Sequence, residues 1–548
     1  MMELSQLIRY SIRGGLEGRW SNLVSLAALE LIGITAILFP VALKSVTSED
    51  LVLFDETAYL SAGVGSRSGS FPNFSDGATY SDIYFLLSFI TPDRVGLYFA
   101  GRALAAVLFV AGVWLAARLL LRAVPAWTAA AVVALSPAPY TWPGVSGPAA
   151  GAVLVGMALI VRWRNGWALG LANVLFWFAA GSRPELTWFA LFVSGTSLVL
   201  VLVYRRAVVY RPGHWFSQGL VPVVLGSLAF PLLLIGIHGP PWQTSGRAWV
   251  AFGQHFALRR ASDSEDPWLQ SGEVTSRFFP EADGFFTALL INPQEMARHA
   301  ISNALDAPRV FISQVFPGSS SLAWISFLSI VITLLVSITV NPRQARDRLA
   351  TALPVLGSEQ FRLPALFGSM LLIFQAIPVL IIFPRVHYQL VFVGALAILL
   401  MLLFRVLNPG WKNLWIPLVL TALCLMVFSA QGLRQAIVRV AYPAPFAASV
   451  TKLIDSGAEF KILSLEPGLE TYVPRADIVS NEITFEGESF VQYLDRLQID
   501  AMFANGTDTL APWGQAPGLE EFLANPSAFG FEPVVPGSRL LLRSEHNP

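Results

Sequence analysis

Residues 23–43 read LVSLAALELIGITAILFPVAL, a run whose only ionisable side chain is Glu30. A helix of about 20 largely apolar residues crosses the hydrocarbon of a bilayer, because every backbone polar group is satisfied within the segment. The run follows a head bearing Arg9, Arg13 and Arg19, is longer than the core of a secretory signal, and lacks a small-residue cleavage site, so it reads as an uncleaved anchor. Ten more apolar runs follow, at 97–120, 126–142, 149–163, 167–182, 186–203, 217–237, 322–340, 363–383, 389–404 and 414–430. The third to fifth of the eleven are short and carry Pro and Gly. Composition agrees: 54% of the 548 residues are hydrophobic, 13% are charged, and the mean hydropathy is +0.59. An ordinary soluble domain carries about 25% charged residues and is excluded. Thirty-six basic and 36 acidic residues cancel, so no global field draws the chain to nucleic acid. Cys424 is the only cysteine, which rules out an intramolecular disulfide and a cysteine zinc cluster.

The distribution of charge sets an expected orientation. With a cytoplasmic N-terminus, the inner connections hold Arg9, Arg13, Arg19, Arg118, Arg122, Arg162, Arg164, Arg205, Arg206, Arg211, Arg343, Arg346, Arg348, Arg362, Arg405 and Lys412, against Glu3, Glu17, Asp347 and Glu359. The first outer connection reverses the sign, with Glu49, Asp50, Asp55, Glu56, Asp76, Asp82 and Asp93 against Lys44, Arg67 and Arg94. This is the positive-inside asymmetry. It places three segments outside: a loop at 44–96, a large loop at 238–321, and the tail. The expected organisation is a transmembrane domain over 1–436 and a soluble extracytoplasmic domain over 437–548, in a plasma (inner) membrane. Strand-like runs at 460–465, 476–480, 499–504 and 540–543 alternate with helical stretches at 490–497 and 520–529, the pattern of a small α/β sheet. No phosphate-binding glycine motif marks a nucleotide site in it.

Polar groups beside apolar spans are costly unless paired or set in a water-filled cavity, and they carry the functional signal. In LFDETAY (53–59), Asp55 and Glu56 open a small-residue stretch that reads as a short interfacial helix; Asp55 is either its N-terminal cap or a reacting carboxylate. GSRPEL (181–186) sets Arg183 and Glu185 between two apolar runs, as a local pair or as donors to an anion. FPRVHY (383–388) puts Arg385, His387 and Tyr388 on a very short outer turn, where Arg385 meets an anion or snorkels to the interface. Arg102 lies five residues into the second span, either as a counter-ion to Asp82, Asp55 or a ligand or snorkelling to the interface, and Glu30 suits a helix-packing hydrogen bond. His238, His255 and His299 fall in or beside the large loop without metal-ligand spacing, so no metal site is expected.

The order of these features, with SDIY (81–84) before the span entered by Arg102, resembles the GT-C membrane glycosyltransferases. Protein O-mannosyltransferases and lipid A aminoarabinose transferases, of the glycosyltransferase family 39 type, are the nearest in pattern. The resemblance runs on through Asn292-Pro293 and 297–303 of the large loop, and through the Arg385 turn, to the tail. Three departures stand out: Asp82 and Ile83 replace a proline before the aromatic, the Arg-Tyr turn is spread from Arg385 to Tyr388, and the 136–148 connection has no acidic residue. The last argues against a metal-dependent mechanism; no cofactor is expected and a divalent metal is left open.

The resemblance implies transfer of a sugar from a polyprenyl-phosphate donor to the hydroxyl of a glycan, lipid or protein acceptor. Asp55 is then the candidate general base, and Glu56 orients the interfacial segment or the acceptor. Arg183 and Arg385, with Arg102 behind them, stabilise the lipid phosphate as it leaves. Asp82, Tyr84, Glu185, His255, His387 and Tyr388 complete the candidate substrate contacts. With no second carboxylate placed as a nucleophile, a single inverting displacement is expected. The rival readings are a lipid-linked sugar flippase, which calls for midplane polar groups and an internal repeat, and a catalytically silent scaffold of the same build.

Overall fold

The computed structural model describes residues 17–47, 50–163, 165–208, 219–241, 246–262, 267–268, 270–315, 321–340, 342–356, 359–407, 415–441, 444–464, 466–479, 486–504 and 516–544. Of the groups counted in the charge asymmetry, Glu3, Arg9, Arg13, Glu49, Arg164, Arg211 and Lys412 lie outside the described residues. The chain opens with α1 (Glu17–Thr47), two short helices, α2 (Asp55–Gly65) and α3 (Ala78–Leu87), and the long α4 (Arg94–Leu120). Then come α5 (Ala123–Leu135), α6 (Ser146–Trp163), α7 (Gly166–Ser182), α8 (Thr187–Val208) and α9 (Leu220–His238), the last passing through a π-helical turn at Leu225–Ala229. The large loop folds as α10 (Arg247–Arg260), α11 (Ser271–Phe278), α12 (Phe285–Ile291) and α13 (Pro293–Val315). Helices α14 (Ser321–Val340), α15 (Pro342–Leu356), α16 (Glu359–Ile381), α17 (Leu390–Leu407) and α18 (Trp415–Ala441) complete the bundle.

Eight helices among the described residues are long and apolar enough to cross a membrane, which is the build of a polytopic helical membrane protein. The other three expected runs are helical but differ in form. The 126–142 run stops at Leu135, where Pro137 and Pro139 turn the chain into a 3₁₀ segment, and α7 is one turn shorter than most spans. The 322–340 run forms α14, whose second half, Leu328–Val340, makes an angle of 103° with the start of α15.

Small residues let the central helices touch. A Cβ on Gly112 of α4 would stand 2.4 Å from the Cα of Gly151 on α6, so these backbones cross in direct contact. Between α7 and α8 a buried polar cluster fixes the register. Trp177 Nε1 donates to Ser194 Oγ (2.9 Å), Ser194 Oγ to Asn173 Oδ1 (3.0 Å), and Asn173 Nδ2 to Ser197 Oγ (3.1 Å). Glu30 does join two helices, as an ion pair with Arg118 of α4 at 2.8 Å. The N-terminus of α4 is capped by Asp93, whose carboxylate accepts from the amides of Val95 (3.1 Å) and Gly96 (2.7 Å).

After α18 the chain builds a five-stranded mixed sheet in the order β2-β1-β3-β5-β4. Its strands are β1 (Lys461–Leu463), β2 (Asp477–Val479), β3 (Ala501–Phe503), β4 (Phe531–Pro533) and β5 (Leu540–Arg543). β1 pairs in parallel with β2 and β3, while β5 runs antiparallel to β3 and β4. Helices α19 (Pro445–Ser456), α20 (Leu469–Tyr472), α21 (Phe490–Leu497) and α22 (Leu519–Ala524) pack around it. The structure differs from the sequence reading in adding β4, α19 and α20, none of which the sequence pattern marked, and in two boundaries. The expected helix at 520–529 breaks at Asn525 before Pro526, and α18 runs on to Ala441, past the boundary expected at 437.

The tail is fastened to the 50–95 segment. Asp50 caps α19, accepting from the amides of Phe446 and Ala447 at 2.9 Å each. Arg94 donates to the Thr471 carbonyl at 2.5 Å, and the Tyr472 hydroxyl to that of Val52 at 3.3 Å. One apolar cluster, including Leu53, Leu60, Tyr84, Ile462, Leu469 and Tyr472, runs across the junction.

Candidate active site

The site begins with an awkward backbone. Phe54 adopts φ 67° and ψ −127°, a region a bulky L-residue rarely occupies and that costs on the order of 1–3 kcal/mol. Two contacts from the tail hold it there. The Phe54 amide donates to the Pro467 carbonyl at 3.2 Å, and Gly468, at φ +107°, lies so close to Thr57 that a Cβ would fall 2.0 Å from its Oγ1. Helix α2 starts at the next residue, and its 100° turn per residue sends the two adjacent carboxylates in different directions.

Glu56 points inward and is fully buried. Its Oε1 accepts from the hydroxyls of Tyr80 (2.5 Å) and Tyr84 (2.6 Å), and its Oε2 from the Gly144 amide (3.0 Å). Burial, reinforced by the Glu56 charge, raises both tyrosines well above their ordinary pKa of 10.0, so they remain donors. Arg102, also buried, donates to the carbonyls of Thr141 (3.1 Å) and Tyr140 (3.3 Å). This cluster ties α2, α3 and α4 to the 138–144 turn, beneath the site.

Asp55 points the other way, into a cavity of about 530 Å³ that it shares with Tyr59, Arg183, Glu185, His255, Arg385, His387 and Tyr388. Arg183 ends α7 and opens the 3₁₀ turn Pro184–Leu186. Its Nε and Nη2 lie 2.7 and 2.5 Å from Glu185 Oε1, and its guanidinium rests over the Tyr388 ring at 4.7 Å. Arg385 lies over Trp268 of the large loop at 5.7 Å. The turn that carries it is fixed from α13: His299 Nε2 contacts the Ile382 carbonyl at 3.0 Å, and Asn303 Nδ2 donates to that of Leu380 at 2.8 Å. His255 of α10 stacks on Phe383, with centroids 4.7 Å apart and planes at 16°. Burial, with Arg385, His299 and Arg259 nearby, pushes its pKa from 6.5 down to about 3, so it is a neutral imidazole at physiological pH.

Seven of the eleven sequence-chosen site residues therefore line one cavity: Asp55, Arg183, Glu185, His255, Arg385, His387 and Tyr388. Glu56, Arg102 and Tyr84 lie beneath it, and Asp82 is turned aside. Asp82 Oδ2 is 3.2 Å from His238 Nε2, and His238 Nδ1 is 3.0 Å from the Pro72 carbonyl, a link between α3, α9 and the 70–74 turn. Sequence reasoning missed Tyr80, which stands one helical turn before Tyr84 and shares its face, and Asn303, one turn after His299. Among the described residues no group of three His, Cys, Asp or Glu side chains gathers as a metal-binding set. No protein-family model matches the chain, and no curated protein is similar enough to count as a relative.

Proposed function

We propose that the protein is a GT-C-type membrane glycosyltransferase that moves a sugar from a polyprenyl-phosphate donor to an acceptor hydroxyl on the extracytoplasmic side. The observation that carries this reading is the cavity in which one carboxylate, Asp55, stands with two guanidiniums, Arg183 and Arg385. A base and an anion site are the two things such a transfer requires. The acceptor oxygen attacks the anomeric carbon and loses its proton to Asp55. The bond from that carbon to the phosphate oxygen breaks, and the charge left on the lipid phosphate falls to Arg183 and Arg385. One displacement inverts the anomeric centre.

Glu185 and Tyr388 hold the Arg183 guanidinium in place, so its planar donors are set before the phosphate arrives. Glu56, with Tyr80 and Tyr84, positions α2 and therefore Asp55. The neutral His255 and the hydroxyl of Tyr388 supply polar contacts for the sugar. The charge asymmetry of the loops supports a cytoplasmic N-terminus, with the cavity and tail outside. The test is an assay of membranes expressing the wild type and Asp55→Asn for release of polyprenyl phosphate from a panel of radiolabelled polyprenyl-phosphate sugars. Release that needs an acceptor and disappears in the variant is expected. Well-folded protein that releases phosphate from no donor, with equal lipid binding by both forms, would overturn the catalytic reading in favour of lipid translocation.

A further inference from the structure

Asp55 borders a second cavity as well. This cleft, of about 660 Å³, lies between α2, the 70–72 turn and the Pro467–Thr471 turn of the tail. Its volume falls within the range of about 300–1,000 Å³ typical of small-molecule sites. Two phenylalanine rings that a folded protein would ordinarily cover, Phe54 and Phe71, stand 45% and 47% exposed on its walls. Between them lie the exposed hydroxyls of Ser61 and Ser70 and the carboxylates of Asp55 and Glu470. Among the described residues, the lining contains no Lys, Arg or His. The nearby Arg67 is directed elsewhere, onto the Ser88 carbonyl (3.4 Å) and the Phe89 ring (5.4 Å).

This chemistry differs from that of the first cavity. Flat apolar faces suit the C–H face of a pyranose ring, while carboxylates and serine hydroxyls accept hydrogen bonds from its hydroxyls. Two carboxylates repel a phosphate or a carboxylated acceptor. We propose that this cleft binds the acceptor, and that the acceptor is an uncharged carbohydrate whose reacting hydroxyl reaches Asp55 from the side opposite the donor phosphate. The role given to Asp55 rests on the transferase reading; binding of saccharide to the cleft does not. The tail is then one wall of the acceptor site, through Glu470 and the Pro467–Gly468 turn.

The test uses full-length protein in nanodiscs and titration calorimetry with maltohexaose, mannohexaose and chitohexaose, alongside a neutral serine-containing hexapeptide and a lipid A preparation. Ala58, exposed on α2 at the cleft, is replaced by tryptophan to fill it, and Phe71→Ala removes one platform. Saturable binding of at least one hexasaccharide is expected, weakened tenfold or more by Ala58→Trp and by Phe71→Ala. Affinity for the polyprenyl-phosphate sugar donor should stay within twofold in Ala58→Trp. Binding of none of the three saccharides, binding untouched by both variants, or binding of the peptide or lipid A in their place overturns the proposal. Saccharide binding without release from any donor leaves the cleft assignment standing and refutes the transferase reading alone.

Discussion

Replacing Glu56 by glutamine changes one oxygen to an NH₂ in a fully buried polar cluster. The carboxylate satisfies three donors, the hydroxyls of Tyr80 and Tyr84 on Oε1 and the Gly144 amide on Oε2. A glutamine that keeps its oxygen on the tyrosines turns its NH₂ toward the Gly144 amide 3.0 Å away, donor against donor. Leaving that amide unsatisfied costs about 1–3 kcal/mol, and exchanging two charge-assisted bonds for neutral ones costs about 1 kcal/mol each. Part of this is recovered because a carboxylate no longer has to be kept out of water, which leaves a net loss of about 2–3 kcal/mol.

The protein carries its own reporter. Cys424 is the only cysteine and is buried, so a thiol-reactive fluorogenic dye reads unfolding as temperature rises. The midpoint of Glu56→Gln should fall by several degrees, and Glu56→Ala should fall further. On a Tyr80→Phe, Tyr84→Phe background the cost of Glu56→Gln should shrink toward that of the Gly144 contact alone, since groups in one network are not additive. A midpoint unchanged in Glu56→Gln, or the same loss on both backgrounds, would show that the cluster does not hold α2 and would remove the positioning role given to Glu56.

Asp55→Asn, at a half-buried side chain lining the cavity, should keep the wild-type unfolding midpoint within about 0.5 kcal/mol while losing acceptor-dependent transfer; a matching loss of midpoint would make the residue structural. Arg385→Gln should weaken donor binding about 10- to 100-fold, the cost of about 1.5–3 kcal/mol for a charge-assisted contact, read as a rise in donor Kd. His255 gives a pH signature. Its folded pKa of about 3 lies below the ordinary 6.5, so from pH 6.5 downward the unfolded chain binds the extra proton and stability falls, by up to about 1.4 kcal/mol per unit. His255→Gln should flatten the pH dependence of the midpoint between pH 6.5 and 5, and an unchanged slope would contradict the burial. Asp50→Asn weakens the cap of α19 by about 1 kcal/mol, and limited proteolysis of the tail should quicken without a change in the bundle midpoint.

Hydrophobic runs mark the helices because lipid imposes length and polarity on each one separately, and eight of the expected spans could be read that way. Where a run was broken by Pro137 and Pro139, its length in sequence overstated the helix. The candidate site was legible for a related reason. Asp55, Arg183 and Arg385 are charges where charges are expensive, and each stands out without knowledge of its neighbours. What the sequence did not disclose is direction. Asp55 and Glu56 are adjacent letters, yet one faces a cavity and the other the interior; Asp82 is one of several partners the sequence leaves open to Arg102, yet Asp82 pairs with His238 and Arg102 donates to backbone carbonyls. Such pairings are made between segments far apart in the chain. The docking of Pro467 and Gly468 against Phe54 and Thr57 is of the same kind, since the charges on the two segments, Asp55, Glu56, Glu466 and Glu470, are all acidic and do not announce a pairing.

That docking bears on how the protein comes into being. Residues 467–471 leave the ribosome about 400 residues after residues 50–60, and the unusual backbone of Phe54 has its hydrogen-bond acceptor, Pro467, only in the later segment. Until that segment is made, the turn before Asp55 lacks this contact. The contacts that hold Phe54 beside Asp55 form only once the Pro467–Gly468 turn is in place. The joining of the two segments thus has a consequence for a cut chain: one clipped between α18 and the sheet, with the sheet lost, would keep Asp55, Arg183, Glu185 and Arg385 and lack the contacts that hold the turn before Asp55.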